Sequence, residues 1–542
     1  MTADTSVSTP HHSATAVDLP DTMKRDVPEQ HAGALEWQSL LLGEPLLLAV
    51  AVALSLALLV EGAAFVGSDW SMLATLAAAH SHTIAGLAQA LGAGQPAVAP
   101  VQRWYLALLY SLLGWQPAGY WATNAALLLV AMILAYFQLR QLKMPRLIAV
   151  AVPVAGASSL GVAVGGNAFG DGLALLLSMI SLNAEVRAMR HGLRRFWLWK
   201  PAALVCLAGA CLSSPTVSVL LVAGLLPTLR RAPMLADAEL GRLKGGRLRL
   251  AQGGLAVSGG GALAALVKTS PGWSMTTLTA WAPSVPSDLW VVLRDPTGEP
   301  LSAGLGVLTA LLMGVILWRA SSPSWSAAVS WRTWLALVML GVLTTGVGAG
   351  ASWYGRPGAI TAAGVAMAAA GGLGLVASLL PTDLLRREVL SVLLALTCAT
   401  ALLAGTASVA AHKAADIGER AAAASLAQAL PRVPPNSTIL IAPACPSAIS
   451  ALAKRSPAVL AAIIAIAYHN PNARAVVLGP QVAAGPSSVA VDEPRGASSV
   501  YPYGDRLFIY DESQGTALQL RDAAQAARFF QAYSERADAC HG

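Results

Sequence analysis

Charged residues are scarce in this sequence. Only 12% of its 542 residues are Asp, Glu, Lys or Arg, and 55% are hydrophobic, whereas a soluble domain has roughly 25% charged residues. This composition excludes an ordinary soluble protein and indicates a chain that lies mostly in a membrane. The net charge of +7 does not indicate nucleic acid, because the basic residues form short clusters between apolar runs, where they act as topology determinants.

Several motifs and pairings are absent as well. The sequence has no Walker loop, no GxGxxG after a strand, no HExxH and no serine nucleophile elbow, so ATP hydrolysis and zinc proteolysis are poorly supported. No two of the five cysteines have metal-ligand spacing. A Cys445–Cys540 disulfide and two unconnected thiols both remain open. The sequence specifies no certain cofactor.

Long apolar runs dominate the chain between residues 44 and 411. We predict about eleven transmembrane helices, since each run is long enough for a bilayer core of roughly 30 Å. The predicted spans are 44–60, 119–139, 146–165, 171–188, 198–213, 215–229, 250–268, 300–319, 332–352, 358–380 and 388–411. Residues 1–43 have no apolar core and are predicted to be a disordered cytoplasmic tail.

The basic residues set the orientation of these spans. Eighteen lie in the loops placed inside, and four lie in the loops placed outside, namely Arg103, Lys268, Arg294 and Arg356. This asymmetry is typical of an inner-membrane protein whose N-terminus is cytoplasmic. Trp104–Gly114 is too short to span, and a crossing there would invert every later loop. We therefore predict an interfacial helix within a long first outer loop, 61–118.

A different pattern begins near residue 412. Short apolar runs at Thr438–Ala442, Ala475–Leu478 and Leu507–Tyr510 alternate with helical stretches, which is typical of a small α/β domain. Residues 412–542 are therefore predicted to form a soluble domain, which lies outside because the number of preceding spans is odd.

Two carboxylates stand at the outer ends of spans, where ionisable residues are costly and often functional. Asp69 follows Glu61 in the first outer loop, and Asp171 lies in the second, in Asn167-Ala-Phe-Gly-Asp-Gly. Each could simply cap a helix, with Ser68 assisting Asp69. Brought together, Asp69 and Asp171 could instead deprotonate an acceptor hydroxyl or hold a divalent cation.

The isolated outer arginines suit a phosphate group. Guanidinium matches phosphate oxygens bidentately, so Arg103, Arg294 or Arg356 could hold the phosphate of a substrate. Contact with lipid headgroups is the alternative for each of them. Glu61, near the outer end of the first predicted span, is a further predicted substrate-binding residue.

Three stretches resemble the GT-C superfamily of membrane glycosyltransferases, as does the order of one span, a long outer loop, closely spaced spans and an outer C-terminal domain. Gly67-Ser-Asp69-Trp70 is similar to the acidic motif of the family's first outer loop. The passage from Arg103 to Tyr120 is similar to its Arg-Pro, aromatic, Leu-rich passage. Ala149–Arg187, which contains Asn167-Ala-Phe-Gly-Asp171, is similar to its third and fourth spans, with Asp171 where a second acidic residue is found.

This resemblance implies transfer of a sugar from a polyprenyl-phosphate donor to a lipid, glycan or protein acceptor at the outer face of the membrane. Asp69 would be the general base, Asp171 would orient the base, the acceptor or a cation, and an arginine would stabilise the leaving phosphate. Two other classes remain open, namely a lipid-linked glycan polymerase, ligase or flippase and a non-enzymatic envelope assembly protein. Protein partners cannot be read from the sequence.

Overall fold

The computed structural model describes the chain in segments, and every structural statement below refers to them. They are residues 43–61, 65, 68–94, 98–141, 146–160, 168–190, 193–214, 308–309, 311–312, 315–317, 334–342, 359–380, 383–443, 457–468, 470, 473–478, 482–492 and 498–541. The chain divides into two compact units, Met1–Leu46 and Leu47–Gly542. The contacts described below all lie within the second unit.

The described residues are mostly helical, as predicted. The first eight helices are α1 Glu44–Glu61, α2 Ser68–Ala77, α3 Ile84–Gly94, α4 Pro100–Leu113, α5 Pro117–Gln141, α6 Arg146–Leu160, α7 Ala168–Arg190 and α8 Leu193–Ser213. The later ones are α9 Ala359–Ser378, α10 Asp383–Ala429, α11 Pro457–Ala467 and α12 Ala523–His541. The predicted spans 215–229 and 250–268 lie outside the described residues, and those at 300–319 and 332–352 are described only in part.

Residues 61–118, which we call the first outer loop after their predicted position, contain three short helices in the part that the structure describes. We expected one surface helix over residues 71–91, but the chain forms α2 and α3 with a break between them. The Thr83 hydroxyl accepts a hydrogen bond from the backbone amide of Gly86 at 3.2 Å. This bond caps α3, because the free N–H groups at the start of a helix need an acceptor. The exposed His80 and His82 lie in this break, where they share no helix face.

Helix α4 has the length and the surface expected of an interfacial helix. Its 14 residues extend about 21 Å, well short of a bilayer core of about 30 Å. Trp104, Leu108 and Leu112 are exposed and recur every four residues, so they share one face. Leu106 and Leu109 are buried on the other side. The helix ends at Gly114, whose φ of +56° suits glycine.

Helix α10 joins two elements that we predicted separately. The expected span 388–411 and the expected helix Asp416–Leu430 form one helix of 47 residues, about 70 Å long. No glycine or proline lies between residues 406 and 417, so nothing in that stretch ends the helix. The helix is therefore more than twice as long as a bilayer core of about 30 Å is thick.

The C-terminal segment forms two sheets. In the first, β1 (Thr438–Ala442) is parallel to both β2 (Arg474–Val477) and β6 (Leu507–Asp511), which lie on either side of it. Strand β7 (Thr516–Gln519) pairs antiparallel with β6, although we expected a helix from residue 517. The second sheet is an antiparallel arrangement of β3 (Val482–Ala484), β4 (Ser488–Asp492) and β5 (Ser498–Pro502).

The two faces of the first sheet pack into different cores, because side chains alternate along a strand. Ile439 and Ile441 join the core that contains α11, the end of α10 and the helices of the first loop. Leu440 joins a second core, shared with α12 and the second sheet. Helix α11 lies between sheet and loop, since it contacts β2, α10 and α2. Apolar packing thus links the C-terminal segment to the first outer loop.

One described helix, α5, is long and apolar enough to cross a membrane, and shorter apolar helical stretches occur within α1, α3, α6, α8, α9 and α10. Several of these helices expose large apolar side chains, for example Trp197, Leu198 and Val205 of α8 and Val392 and Leu396 of α10. Such surfaces mark contact with lipid or another protein. The number of eleven spans stays a prediction.

Candidate active site

Asp69 is a buried carboxylate in the first turn of α2. Only 8% of its surface is exposed, although aspartate is rarely buried unless it has partners. Its position suits the cap that we considered from sequence, since negative charge is favourable at a helix N-terminus. Burial equally suits a catalytic carboxylate, so capping and catalysis do not exclude each other here.

Three aromatic rings fix the segment around Asp69. Phe65 makes edge-to-face contacts with Trp70, at 5.7 Å between ring centroids, and with Tyr120 of α5, at 5.5 Å. The Tyr120 hydroxyl donates a hydrogen bond to the carbonyl of Gly114 at 3.0 Å. Edge-to-face packing stabilises ring pairs beyond their buried area. The Asp69 segment is thereby held against the N-terminal end of α5.

The segment that carries Asp171 packs on the same end of α5. A Cβ atom at Gly172 would lie 1.9 Å from Oδ1 of Asn124, so the start of α7 approaches α5 as closely as glycine permits. Asn124 is buried, and its Oδ1 has no hydrogen-bond partner among the described residues. The side chain of Asp171 lies outside the described part of the structure.

A residue near each acid contacts the same helix, α5. Tyr120 and Asn124 are four residues apart on α5 and therefore lie on one face, about 5–6 Å from each other. Phe65, four residues before Asp69, contacts the first of them, and Gly172, directly after Asp171, contacts the second. Phe65 and Gly172 thus contact neighbouring turns of one helix, and that Asp69 and Asp171 form one site stays a prediction.

Of the four residues predicted to bind the phosphorylated substrate, the structure describes the side chain of Arg103 alone. Arg103 of α4 donates from Nε to the carbonyl of Val98 at 2.7 Å, and its guanidinium lies against Gly92 of α3, so it braces the connection between α3 and α4. Glu61 ends α1, and its side chain is outside the description. Arg294 and Arg356 lie outside the described residues. The roles of all four in binding phosphate stay predictions.

The metal hypothesis is also untested. Within the described ranges, no group of three or more His, Cys, Asp or Glu side chains could hold a metal ion. Of the two carboxylates predicted from sequence as cation ligands, Asp69 and Asp171, the side chain of Asp171 is not among those that the structure describes. A cation at this position stays a prediction.

Sequence reasoning missed two residues of α10 that reach the Asp69 segment. The guanidinium carbon of Arg420 lies 5.5 Å from the centre of the Trp70 ring. Arg420 Nε donates to Oδ2 of Asp416 at 2.9 Å. The Asp416 carboxyl also interacts with the backbone amide of Phe65. The sequence does show an acid four residues before an arginine. Such pairs occur on many solvent-exposed helices, however, so this spacing does not by itself indicate a contact with another segment.

Comparisons with known proteins give one structural likeness. The crystal structure of ArnT from Cupriavidus metallidurans bound to undecaprenyl phosphate is similar to this chain, at 16% sequence identity over 80% of this chain and 85% of that chain, with a TM-score of 0.33. A TM-score this low carries no argument about fold or chemistry. No protein-family model and no curated protein matches the sequence.

Proposed function

We infer that this protein is a GT-C-type glycosyltransferase of the inner membrane, which moves a sugar from a polyprenyl-phosphate donor to a lipid, glycan or protein acceptor at the outer face. The observation that supports the proposal is that Phe65, four residues before Asp69, and Gly172, directly after Asp171, contact Tyr120 and Asn124 on one face of α5. Two segments that only capped their own helices would not need to pack on the same helix face.

The chemistry follows from this pairing. Asp69 accepts the proton of the acceptor hydroxyl, whose oxygen then attacks the anomeric carbon of the sugar. The bond from that carbon to the phosphate oxygen breaks, and polyprenyl phosphate leaves. Asp171 orients Asp69, the acceptor or a cation. Arg103, Arg294 or Arg356 stabilises the negative charge that develops on the leaving phosphate, and Glu61 contributes to substrate binding.

The surface of the protein supports a membrane location. Large apolar side chains such as Leu198 and Val205 of α8 are exposed on helices, as expected of residues that face lipid. Arg420, in the half of α10 that follows the predicted last span, contacts Trp70 of the first loop. This contact favours a C-terminal segment on the same side as that loop, in agreement with the extracytoplasmic position expected from the positive-inside rule.

Replacement of Asp69 by Asn tests the proposed base. We expect purified wild-type protein in lipid to transfer radiolabelled sugar from a polyprenyl-phosphate donor, and Asp69→Asn to lose about 10²- to 10⁴-fold in rate, as removal of a general base does. The matched control is Asp505→Asn, because Asp505 is an exposed carboxylate of the C-terminal segment and its replacement should leave the rate unchanged.

Two results would redirect the proposal. Equal rates in wild type and Asp69→Asn would remove Asp69 as the base. No transfer from any donor tried, by a folded wild-type protein, would favour a lipid-linked glycan polymerase, ligase or flippase, or an envelope assembly protein.

A further inference from the structure

The contacts of α10 reach the Asp69 segment at two points. Arg420 lies over the ring of Trp70, the residue that follows Asp69. Asp416 interacts with the backbone amide of Phe65, which lies four residues before Asp69. The Asp416 and Arg420 side chains are joined to each other at 2.9 Å. This pair therefore spans the short segment that carries the proposed base.

The pair is anchored by the C-terminal segment. The hydroxyl of Tyr468, just after α11, donates a hydrogen bond to the carbonyl of Leu426 in α10 at 3.1 Å. Tyr510 of β6 donates to the Ser425 hydroxyl at 3.3 Å. Helix α11 in turn packs on both α10 and α2. Helix α10 is thus held in place from the sheet on one side and from the first outer loop on the other.

We propose that Asp416 and Arg420 are positioning residues, which fix the Phe65–Trp70 segment and so hold Asp69 in its reactive geometry. This inference rests on the function proposed above and assigns the C-terminal end of α10 a part in it. A cation over a Trp ring is attracted by the ring face, and the carboxylate of Asp416 holds that cation in place. The pair touches neither donor nor acceptor in this role.

The burial of Asp416 lets a positioning role be distinguished from a purely stabilising role. Only 6% of Asp416 is exposed, and burial raises the pKa of its carboxyl above the usual 3.8, although Arg420 and the Phe65 amide act in the opposite direction. A raised pKa means that the carboxyl lowers stability as the pH rises through its folded-state pKa. Burial of the ionised form of Asp416 therefore costs stability, which its retention for stability alone would not explain.

Two variants test the proposal by steady-state kinetics with a radiolabelled polyprenyl-phosphate sugar. Arg420→Ala and Asp416→Asn should each lower kcat by about fivefold to tenfold, with the KM for donor unchanged, because a displaced base slows the chemistry and not the binding. Arg420→Lys keeps a cation over Trp70 and should recover most of the rate. The control is Arg528→Ala, since Arg528 bonds to the Ala524 carbonyl of its own helix.

Two further measurements use readouts other than turnover. Asp416→Asn should lower kcat while the melting temperature at pH 7.5 stays equal to that of wild type or rises, a combination that simple loss of structure does not give. Hydrogen–deuterium exchange of the amides of α2 should be faster in Arg420→Ala than in wild type, because that helix has lost a contact.

The outcomes separate this proposal from the proposed function. Unchanged kcat and unchanged α2 exchange in both variants would overturn the positioning role, and so would a change confined to the KM for donor. Faster α2 exchange in a protein whose wild type transfers no sugar would keep the contact between α10 and the first loop but remove both the catalysis and the positioning role that depends on it.

Discussion

At the scale of single residues, the site depends on one close approach. Gly172 leaves no room for a side chain beside Asn124, and it follows Asp171 directly. The order of these residues could be read from the sequence, which placed both acids at the ends of spans. The contacts of Phe65 and Gly172 with α5 could not, because the positions of Tyr120 and Asn124 in the sequence do not show which distant segments pack on them.

Replacement of Gly172 by Ala tests this approach. The new methyl group would clash with the Asn124 amide, so we expect Gly172→Ala to lose about 1–3 kcal/mol of stability, as overpacked sites do, and to lower transfer by displacing Asp171. Thermal unfolding in detergent and the transfer assay measure the two effects.

The double variant Asn124→Ala/Gly172→Ala is the matched control. Removal of the amide opens space for the methyl group, so stability and rate should both recover relative to Gly172→Ala. Equal losses in the single and double variants would mean that Gly172 matters for another reason.

At the scale of elements, length and periodicity were informative where they were unambiguous. The short apolar run at Trp104–Gly114 predicted a helix too short to span, and α4 has that length. Strand β1 has the predicted bounds. Strand β7 was missed because four residues with mixed side chains give no periodic signal, and only the cap that Asp522 provides for Gln525 at 2.8 Å marks the later helix start.

Helix α4 should lie with its exposed apolar face against the lipid interface. In a variant without native cysteines, a nitroxide spin label at Leu112→Cys should collide more often with oxygen, which concentrates in lipid, than with a water-soluble nickel chelate. A label at Ser513→Cys, on the β6–β7 connection, should show the reverse. A Leu112 label that favours the nickel chelate would place this face in water.

At the scale of the whole molecule, a continuous apolar core ties the first outer loop to the C-terminal segment through α2, α11 and α10. From a change in composition, we predicted a domain boundary between these parts at residue 412. The lack of glycine and proline between residues 406 and 417 permits a continuous α10, but the drop in hydrophobicity there was interpreted as the end of one element and the start of another. The predicted domain boundary and the orientation of the termini stay predictions.

The contact between Arg420 and Trp70 leads to a topology prediction. Since contacting residues share one side of a membrane, the C-terminus should lie with the first loop, outside the cell membrane. Alkaline phosphatase fused after Gly542 should therefore be active, and the same enzyme fused after Arg140, in a predicted inner loop, should be inactive. The opposite pattern would invert the assigned topology.

The most direct test of the central claim is whether Asp69 and Asp171 act as one site. Transfer rates would be measured for wild type, Asp69→Asn, Asp171→Asn and the double variant with the same labelled donor. Residues that act as a unit are non-additive, so the account predicts that the double variant is no slower than Asp69→Asn alone. Losses that multiply in the double variant, or an Asp171→Asn rate equal to wild type, would contradict it.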